Sequence, residues 1–306
     1  MREVLGLLLA DFFREPVPDA RRILHGRGHC FPGLETLNLD WYHPVVLVSA
    51  YAPLENPDWL VEDLLAADVH GQIEGIILQQ RDVVHSPAQL LWGSAQEKFV
   101  VSEGALRFFV QPGRRQNAGL FLDTRLLRDW LLIHSADRNV LNLFAYTCSL
   151  SVAALAGGAR AVTNVDMSKP SMLWGAENHA LNGQDIAQVK AIPHNLFKSW
   201  GRIQQFGRYD LVIIDPPTRQ KGSFDVERDY AAVVKKLPKL CHPGAEVIAT
   251  LNSPFLDTSF LLTVFETVLP QCEFVEMLPT PPEFADADPE KALKIARFRM
   301  PVEQAS

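Results

Sequence analysis

The stretch Leu211-Val212-Ile213-Ile214-Asp215-Pro216-Pro217-Thr218 decides how this chain is read. Its four consecutive apolar residues suit a strand buried on both faces of a parallel sheet. The two prolines end that strand, because neither donates to a ladder and Pro216 drives Asp215 toward extended geometry. A carboxylate on a rigid turn is thereby placed at the carboxyl end of a central strand, where open α/β sheets bind their ligands. Asp215 would also suit an ordinary strand-to-loop turn, so the segments upstream must arbitrate.

Upstream, residues 139–147 read NVLNLFAYT and continue as CSLSVAALAGGARAVTNVD to Asp166. The pattern predicts a short strand over 140–144, Ser149 as the cap of a helix over 150–156, a Gly157-Gly158 stop and a second strand over 161–165. An acid thus closes the second strand 19 residues beyond Thr147. That spacing lets Asp166 hydrogen-bond the ribose hydroxyls of a nucleoside cofactor; it equally suits capping a helix over 167–181. No G-x-G-x-x-G accompanies it, which disfavours NAD or FAD. S-adenosylmethionine (SAM) carries a ribose without a pyrophosphate and demands no such fingerprint.

Further along, a strand is expected over 188–192 with His194-Asn195 at its tip. Asn195 there can bond the edge of an adenine or cap the helix that starts at Leu196. Strands over 209–214 and 246–251 follow, the latter reached through a helix over 226–240. Runs at 272–278 and 293–300 form a terminal pair joined by the proline-rich piece 279–289. Seven strands, with helices between the first five, predict an α/β fold: a Rossmann-like sheet of the SAM-methyltransferase type whose last strand inserts antiparallel. A smaller α+β domain precedes it.

Residues 117–300 resemble the catalytic module of bacterial 23S ribosomal RNA methyltransferases. The nearest likeness is to the guanine-N7 half of the fused large-subunit guanine methyltransferase, with a more distant one to the 5-methylcytosine enzymes. It is carried by NAGLFLDTR (117–125), NLFAYT (142–147), GGARAVTNVDMS (157–168), NHALNG (178–183), DLVIIDPPT (210–218) and FDVERDY (224–230). The resemblance implies SAM as cofactor, held by Phe121, Asp123, Asn142, Phe144, Tyr146, Thr147, Asp166, Met167, Asn195 and Asp215. Residues 21–41 are faintly similar to the small domain that precedes the module in those enzymes. Two positions depart from the pattern. Cys148 stands where the family has a glycine, so a side chain occupies a turn that calls for positive φ or close ligand approach. Asn195 stands where the family has an acid, keeping an acceptor and losing a charge.

The same comparison bears on the reaction. Making 5-methylcytosine requires a thiolate, which the cytosine enzymes carry just after the fifth strand; here residues 249–254 read ATLNSP. Methylation of a nitrogen needs chiefly alignment and an electrostatic setting. For an exocyclic amine, Asp215 and the carbonyl of Pro216, held by Pro217, accept the amine hydrogens. Guanine N7 has no proton to lose, and there Asp215 orients the base. The choice between N7 and N2 stays open. On the substrate side, Thr218 follows the turn, Arg219 and Lys221 suit a nucleic-acid backbone, and Phe224 suits either stacking on a base or packing at a helix start. Arg114 and Arg115 suit phosphate contacts, whereas Arg128 reads as a solvated helix-start charge.

Composition sets outer bounds. At 306 residues, 47% hydrophobic and 21% charged, the chain has room for two domains and an ordinary globular core. No apolar run approaches the ~18 residues of a membrane span. The greasy opening is interrupted by Asp11, Arg14 and Glu15, which favours an amphipathic helix over a leader. Four scattered cysteines show neither metal spacing nor a disulfide framework, and a reducing cytoplasm is expected. No metal is expected at His25, His29 and Cys30. The net charge of −7 argues against indiscriminate nucleic-acid binding but leaves room for a local basic rim. Residues 1–95, with helices over 4–13 and 57–67 and strands over 45–50 and 73–78, are expected to form a small domain suited to substrate docking. Residues 86–95 mark its boundary with a methyltransferase domain over 96–306. The leading function is methylation of a guanine nitrogen in ribosomal RNA; methylation of a small molecule or protein, and a non-catalytic interaction role, are the alternatives.

Overall fold

The computed structural model describes residues 2–220 and 222–302. Its contacts divide the chain into one unit of Met1–Asp123 with Pro281–Pro289, and a second of Thr124–Thr280 with Glu290–Ser306.

The first unit contains α1 (Arg2–Phe12), β1 (Arg21–His25), β2 (Leu37–Tyr42), β3 (Val45–Ala50), α2 (Asp58–Ala67), β4 (Gly75–Gln80), β5 (Ala88–Gly93) and the hairpin β6 (Phe99–Glu103) and β7 (Leu106–Val110). Strands β1 to β5 form a sheet in chain order, with only β3 and β4 parallel because α2 supplies their crossover. Leu5, Leu9, Phe13, Trp41, Leu60 and Leu64 pack the core between helices and sheet.

Strand β1 was illegible because it opens on Arg21-Arg22. Arg22 is nevertheless largely buried: it binds both carboxylate oxygens of Asp40 on β2 at 2.7 and 3.0 Å, lies 2.7 Å from His25 Nδ1 and rests over the Phe284 ring at 4.3 Å. Residues 86–95, expected as a connection, hold edge strand β5. The β6–β7 hairpin is tied to this unit by Ala20 N donating to Ser102 O and Gly104 N to Asp19 Oδ1. Gln79 reaches the Arg115 carbonyl and the Tyr42 hydroxyl that of Leu120. These bonds carry the division to residue 123, beyond the boundary expected at 95.

The second unit begins with α3 (Arg125–His134), β8 (Asn139–Leu143), α4 (Ser149–Ala156), β9 (Ala161–Val165), α5 (Lys169–Leu181), β10 (Val189–Ile192), α6 (Trp200–Gln205) and β11 (Tyr209–Ile214). A two-residue-per-strand hairpin, β12 (Arg219–Gln220) and β13 (Phe224–Asp225), leads to α7 (Val226–Val234), α8 (Leu237–Leu240), β14 (Cys241–Leu251), α9 (Thr258–Val268), β15 (Glu273–Leu278) and β16 (Lys294–Arg299). The sheet order is β10-β9-β8-β11-β14-β16-β15, with the first five strands parallel and β16 antiparallel to both neighbours. This is the predicted seven-stranded sheet with an antiparallel last strand. Leu211 to Ile214 are completely buried, each contributing about 1.5–3 kcal/mol of hydrophobic stabilisation.

Two local expectations change. The helix expected over 226–240 is two helices, because Pro238 lacks an N–H and its ring conflicts with the carbonyl of Val234, where α7 ends. Arg128, expected in solvent, is fully buried, with Nη1 2.7 Å from Thr124 Oγ1 and 3.5 Å from Ser149 Oγ.

Candidate functional site

Strand order reverses between β8 and β11, so the loops leaving these two strands frame the crevice in which such sheets bind ligands. The loop after β8 is strained. Phe144, Tyr146 and Cys148 all take left-handed φ, at 61°, 47° and 65°, each costing a non-glycine residue about 1–2 kcal/mol. Such strain persists only where the surroundings over-determine it. Here Ala145 N donates to Val165 O at 3.0 Å, Tyr146 N to Asp166 Oδ2 at 2.9 Å, and Asn178 Nδ2 to Thr147 O at 2.9 Å. The second oxygen of Asp166 accepts Ser168 N at 2.8 Å. Burial raises the Asp166 pKa, and the two amide bonds offset only part of that rise. Asp166 therefore orders the loop and the turn into α5, whose cap is Ser168, while keeping lone pairs for a ligand.

Cys148 does not enter the crevice. It is 2% exposed, packs with Ala145 and Met172, and its thiol is pushed up to about 12 by burial. The space it fills is vacated by Gly175 of α5: a Cβ built there would come within 2.3 Å of Cys148 Sγ. The departure at 148 is thus absorbed on the helix side of the loop.

The crevice is a small, partly open cleft between the loops that leave β9, β10 and β11. Phe144, Asp166 and Met167 form one side, and His194, Asn195 and Phe197 another. Gln220, Ser223 and Phe224, from the β12–β13 hairpin that continues the Asp-Pro-Pro-Thr turn, complete it. The Phe224 ring meets Phe144 edge-on at 4.8 Å and lies parallel to Phe197 at 6.4 Å. Of the two expected purposes the cap is observed: Asn195 Oδ1 accepts Phe197 N at 2.9 Å, and its amide nitrogen stays a candidate donor on a cleft-lining residue.

Asp215 follows directly from this geometry. Its N–H donates to Leu143 O at 3.4 Å, beside Phe144, and its Oδ1 accepts the Thr250 hydroxyl at 2.5 Å. Tyr230, wholly buried, donates to the Thr250 carbonyl at 3.0 Å, and burial with the charge of Asp215 holds its hydroxyl protonated, well above 10. Pro216 and Pro217 carry the chain away to Thr218, whose hydroxyl donates to Asn252 O and whose carbonyl accepts Val226 N at 3.1 Å. Arg219 is 82% exposed, 3.6 Å from Asp225. Lys221 lies outside the described residues.

Of the residues picked out from sequence, Phe144, Asp166, Met167, Asn195 and Phe224 thus share one cleft, with Tyr146 and Thr147 in the loop beside it. Asn142 points elsewhere, into a buried chain that runs through Asn164 at 3.1 Å toward His179, Ser151 and Gln184. Phe121 and Asp123 end the first unit, the latter in the Leu122–Thr124 turn. Arg114 pairs with Glu97 and Arg228 with Asp229. Thr250, Tyr230 and Phe197 escaped the sequence reading, which placed His194 at the strand tip without giving it a role. A search for a hydroxyl partner to Asp215 on the adjoining strand would have found Thr250, and Tyr230 sits in the FDVERDY block.

The donor set suits a nucleoside without a pyrophosphate: a carboxylate for a ribose diol, an amide for a base edge, and apolar walls for a flat ring. Among the described residues, no cluster of three His, Cys, Asp or Glu could hold a metal ion, and no helix is long and apolar enough to cross a membrane.

Comparison with known proteins agrees with this geometry. The chain is 34% identical over 228 residues to the ribosomal RNA large subunit methyltransferase K/L of Shewanella sediminis, covering 70% of this chain and 32% of that protein. It is 40% identical over 160 residues to the enzyme of the same name from Shewanella pealeana, covering 51% and 22%. The chain therefore spans about a third or less of the length of these curated relatives. A crystal structure described as a methyltransferase complexed with SAH, SMU.776, superimposes with a TM-score of 0.84 at 25% identity, covering 98% of this chain and 82% of that one. The family model for S-adenosylmethionine-dependent methyltransferases matches residues 21–299, and this chain, a SAM-using enzyme with the fold and cleft such chemistry requires, belongs to that family.

Proposed function

We propose that this chain transfers the methyl group of SAM to a guanine nitrogen of large-subunit ribosomal RNA. The observation that carries the reading is the Asp215-Pro216-Pro217 turn, with Asp215 hydrogen-bonded to the cofactor-loop strand through Leu143 O and oriented by Thr250. Bound SAM would supply a sulfonium methyl carbon for in-line attack by the acceptor nitrogen, the C–S bond breaking to release S-adenosylhomocysteine. Asp166 accepts the ribose hydroxyls, Asn195 donates to the adenine edge, and Phe144, Met167 and Phe197 wall the ring. Phe121, Asp123, Asn142, Tyr146 and Thr147 complete the cofactor assignment, in which Asn142 acts through the buried polar chain behind the loop. Asp215 and the Pro216 carbonyl accept the hydrogens of a guanine amine, or Asp215 alone orients the base for attack through N7. Pro217 and Thr218 shape the turn, Phe224 closes the cleft, and Arg219 and Lys221 meet phosphates. The first unit is assigned to substrate docking, and a cytoplasmic location follows from the substrate.

One fact supports RNA over other acceptors: the relatives named above act, by their names, on ribosomal RNA. The segment after β14, Asn252-Ser253-Pro254, offers no thiolate for carbon methylation and so favours a nitrogen acceptor. The net charge of −7 keeps a small-molecule or protein acceptor as the second reading. The test is incubation of the purified chain with 23S rRNA transcribed in vitro and SAM labelled at the methyl group, followed by nucleoside analysis, with Asp215→Ala as control. Label in 7-methylguanosine or N2-methylguanosine supports the reading. Label in 5-methylcytidine, or transfer to protein or small molecules with none to RNA, overturns it.

A further inference from the structure

A flat acceptor ring is held best against an aromatic face, and the turn itself offers none. Thr218 is aliphatic and its hydroxyl is engaged with Asn252. Phe224 is 2% exposed, its ring committed to Phe144 and Phe197. The structure puts an aromatic on the neighbouring loop instead. Phe255 is 89% exposed, the most exposed large apolar side chain among the described residues. It lies between β14 and α9, and β14 runs parallel to β11 with Ala249 beside Ile214. Residues beyond Leu251 therefore leave the same sheet edge as Asp215 to Thr218. The Thr218 hydroxyl on the Asn252 carbonyl joins the two loops, and three residues of chain keep the Phe255 Cα within about 11 Å of Asn252.

The loop is also anchored. Lys294, buried, donates its ammonium to Ser253 O at 3.0 Å, and Phe255 N lies 3.3 Å from Ser253 Oγ. A bare phenyl ring on a tethered loop forgoes hydrophobic burial and matches what stacking on a base needs. We propose that Phe255 is the platform on which the acceptor base stacks while Asp215 holds its edge. This rests on the reading that the acceptor is a nucleobase.

Two measurements test it. Phe255→Ala is expected to lower kcat/KM on in vitro transcribed 23S rRNA roughly 5- to 150-fold, the equivalent of one stacked base, with SAM affinity by calorimetry unchanged and Phe255→Tyr restoring the rate. Independently, Phe255→Trp titrated with a guanine-containing single-stranded RNA hexamer in the presence of SAH is expected to lose fluorescence that the wild type, with its other tryptophans, retains. An unchanged kcat/KM, an unquenched tryptophan, or weakened SAM binding in Phe255→Ala overturns the stacking role. Quenching by the hexamer with no transfer to the rRNA would instead defeat the ribosomal reading and leave the stacking role standing.

Discussion

The fit between Cys148 and Gly175 can be tested by overfilling it. In Gly175→Ala the new methyl falls 2.3 Å from Cys148 Sγ and 2.9 Å from its Cβ, well inside van der Waals contact. Cys148 cannot swing aside freely, because its φ of 65° and the bond from its N–H to Ala145 O fix the backbone that carries it. Overpacking of this kind costs about 1–3 kcal/mol. Replacing a mid-helix glycine by alanine returns about 0.5–1 kcal/mol, so the single variant should be destabilised by about 0–2.5 kcal/mol. The informative quantity is the coupling. In a Cys148→Gly background the methyl has room and glycine suits the left-handed turn, so Gly175→Ala should there become neutral or stabilising. A double-mutant cycle by urea unfolding is then expected to give an interaction of about 1–3 kcal/mol, and calorimetry should show SAM affinity falling in Gly175→Ala and recovering in the double variant. Additive effects, with SAM binding untouched, would refute the claim that the cofactor loop is seated on α5 through this thiol.

Asp166→Ala removes the acceptor of Tyr146 N and Ser168 N and should weaken SAM binding about 10- to 100-fold, the worth of a bond to a charged group; Asp215→Ala should spare that affinity and lower the transfer rate by about 100-fold or more through misplacement of the acceptor. Equal loss of binding and turnover in either variant would remove the division of roles. Thr250→Val deletes the donor to Asp215 Oδ1 and should reduce kcat about 10-fold or more at unchanged SAM affinity; an unaltered kcat would relieve Thr250 of any positioning role. In the first unit, burial and then the charge of Arg22 lower the His25 pKa to about 4, against about 6.5 unfolded. Between these values the unfolded state binds the extra proton, so this contribution is constant above pH 6.5 and stability falls as pH drops from 6.5 toward 4. Urea midpoints measured from pH 4 to 8 should show a steeper acid-side fall for wild type than for His25→Gln, and parallel curves would contradict the assignment.

What the sequence determined on its own lay in short-range pattern. Leu211 to Ile214 followed by two prolines specify a buried strand and its stop, and the runs at 161–165 and 246–251 show the same contrast between apolar core and polar turn. Asp166 and Asn195 were legible because each closes such a strand, where chain direction alone puts a side chain at the crevice. Tertiary structure decided everything that depends on a partner far along the chain. Arg128 read as a solvated charge until Thr124 accepts its hydrogen bond inside the protein, and nothing in the sequence pointed to the buried pairing of Arg22 with Asp40. Cys148 read as an obstacle until Gly175 made room for it on another helix. Thr250 had no sign of its role until the register of β14 against β11 set it beside Asp215. The physical reason is common to all of them. Hydrophobic periodicity and proline stereochemistry act over a few bonds and are written locally, whereas the neutralisation of a buried charge and the filling of a void are properties of pairs that meet only once the chain has folded.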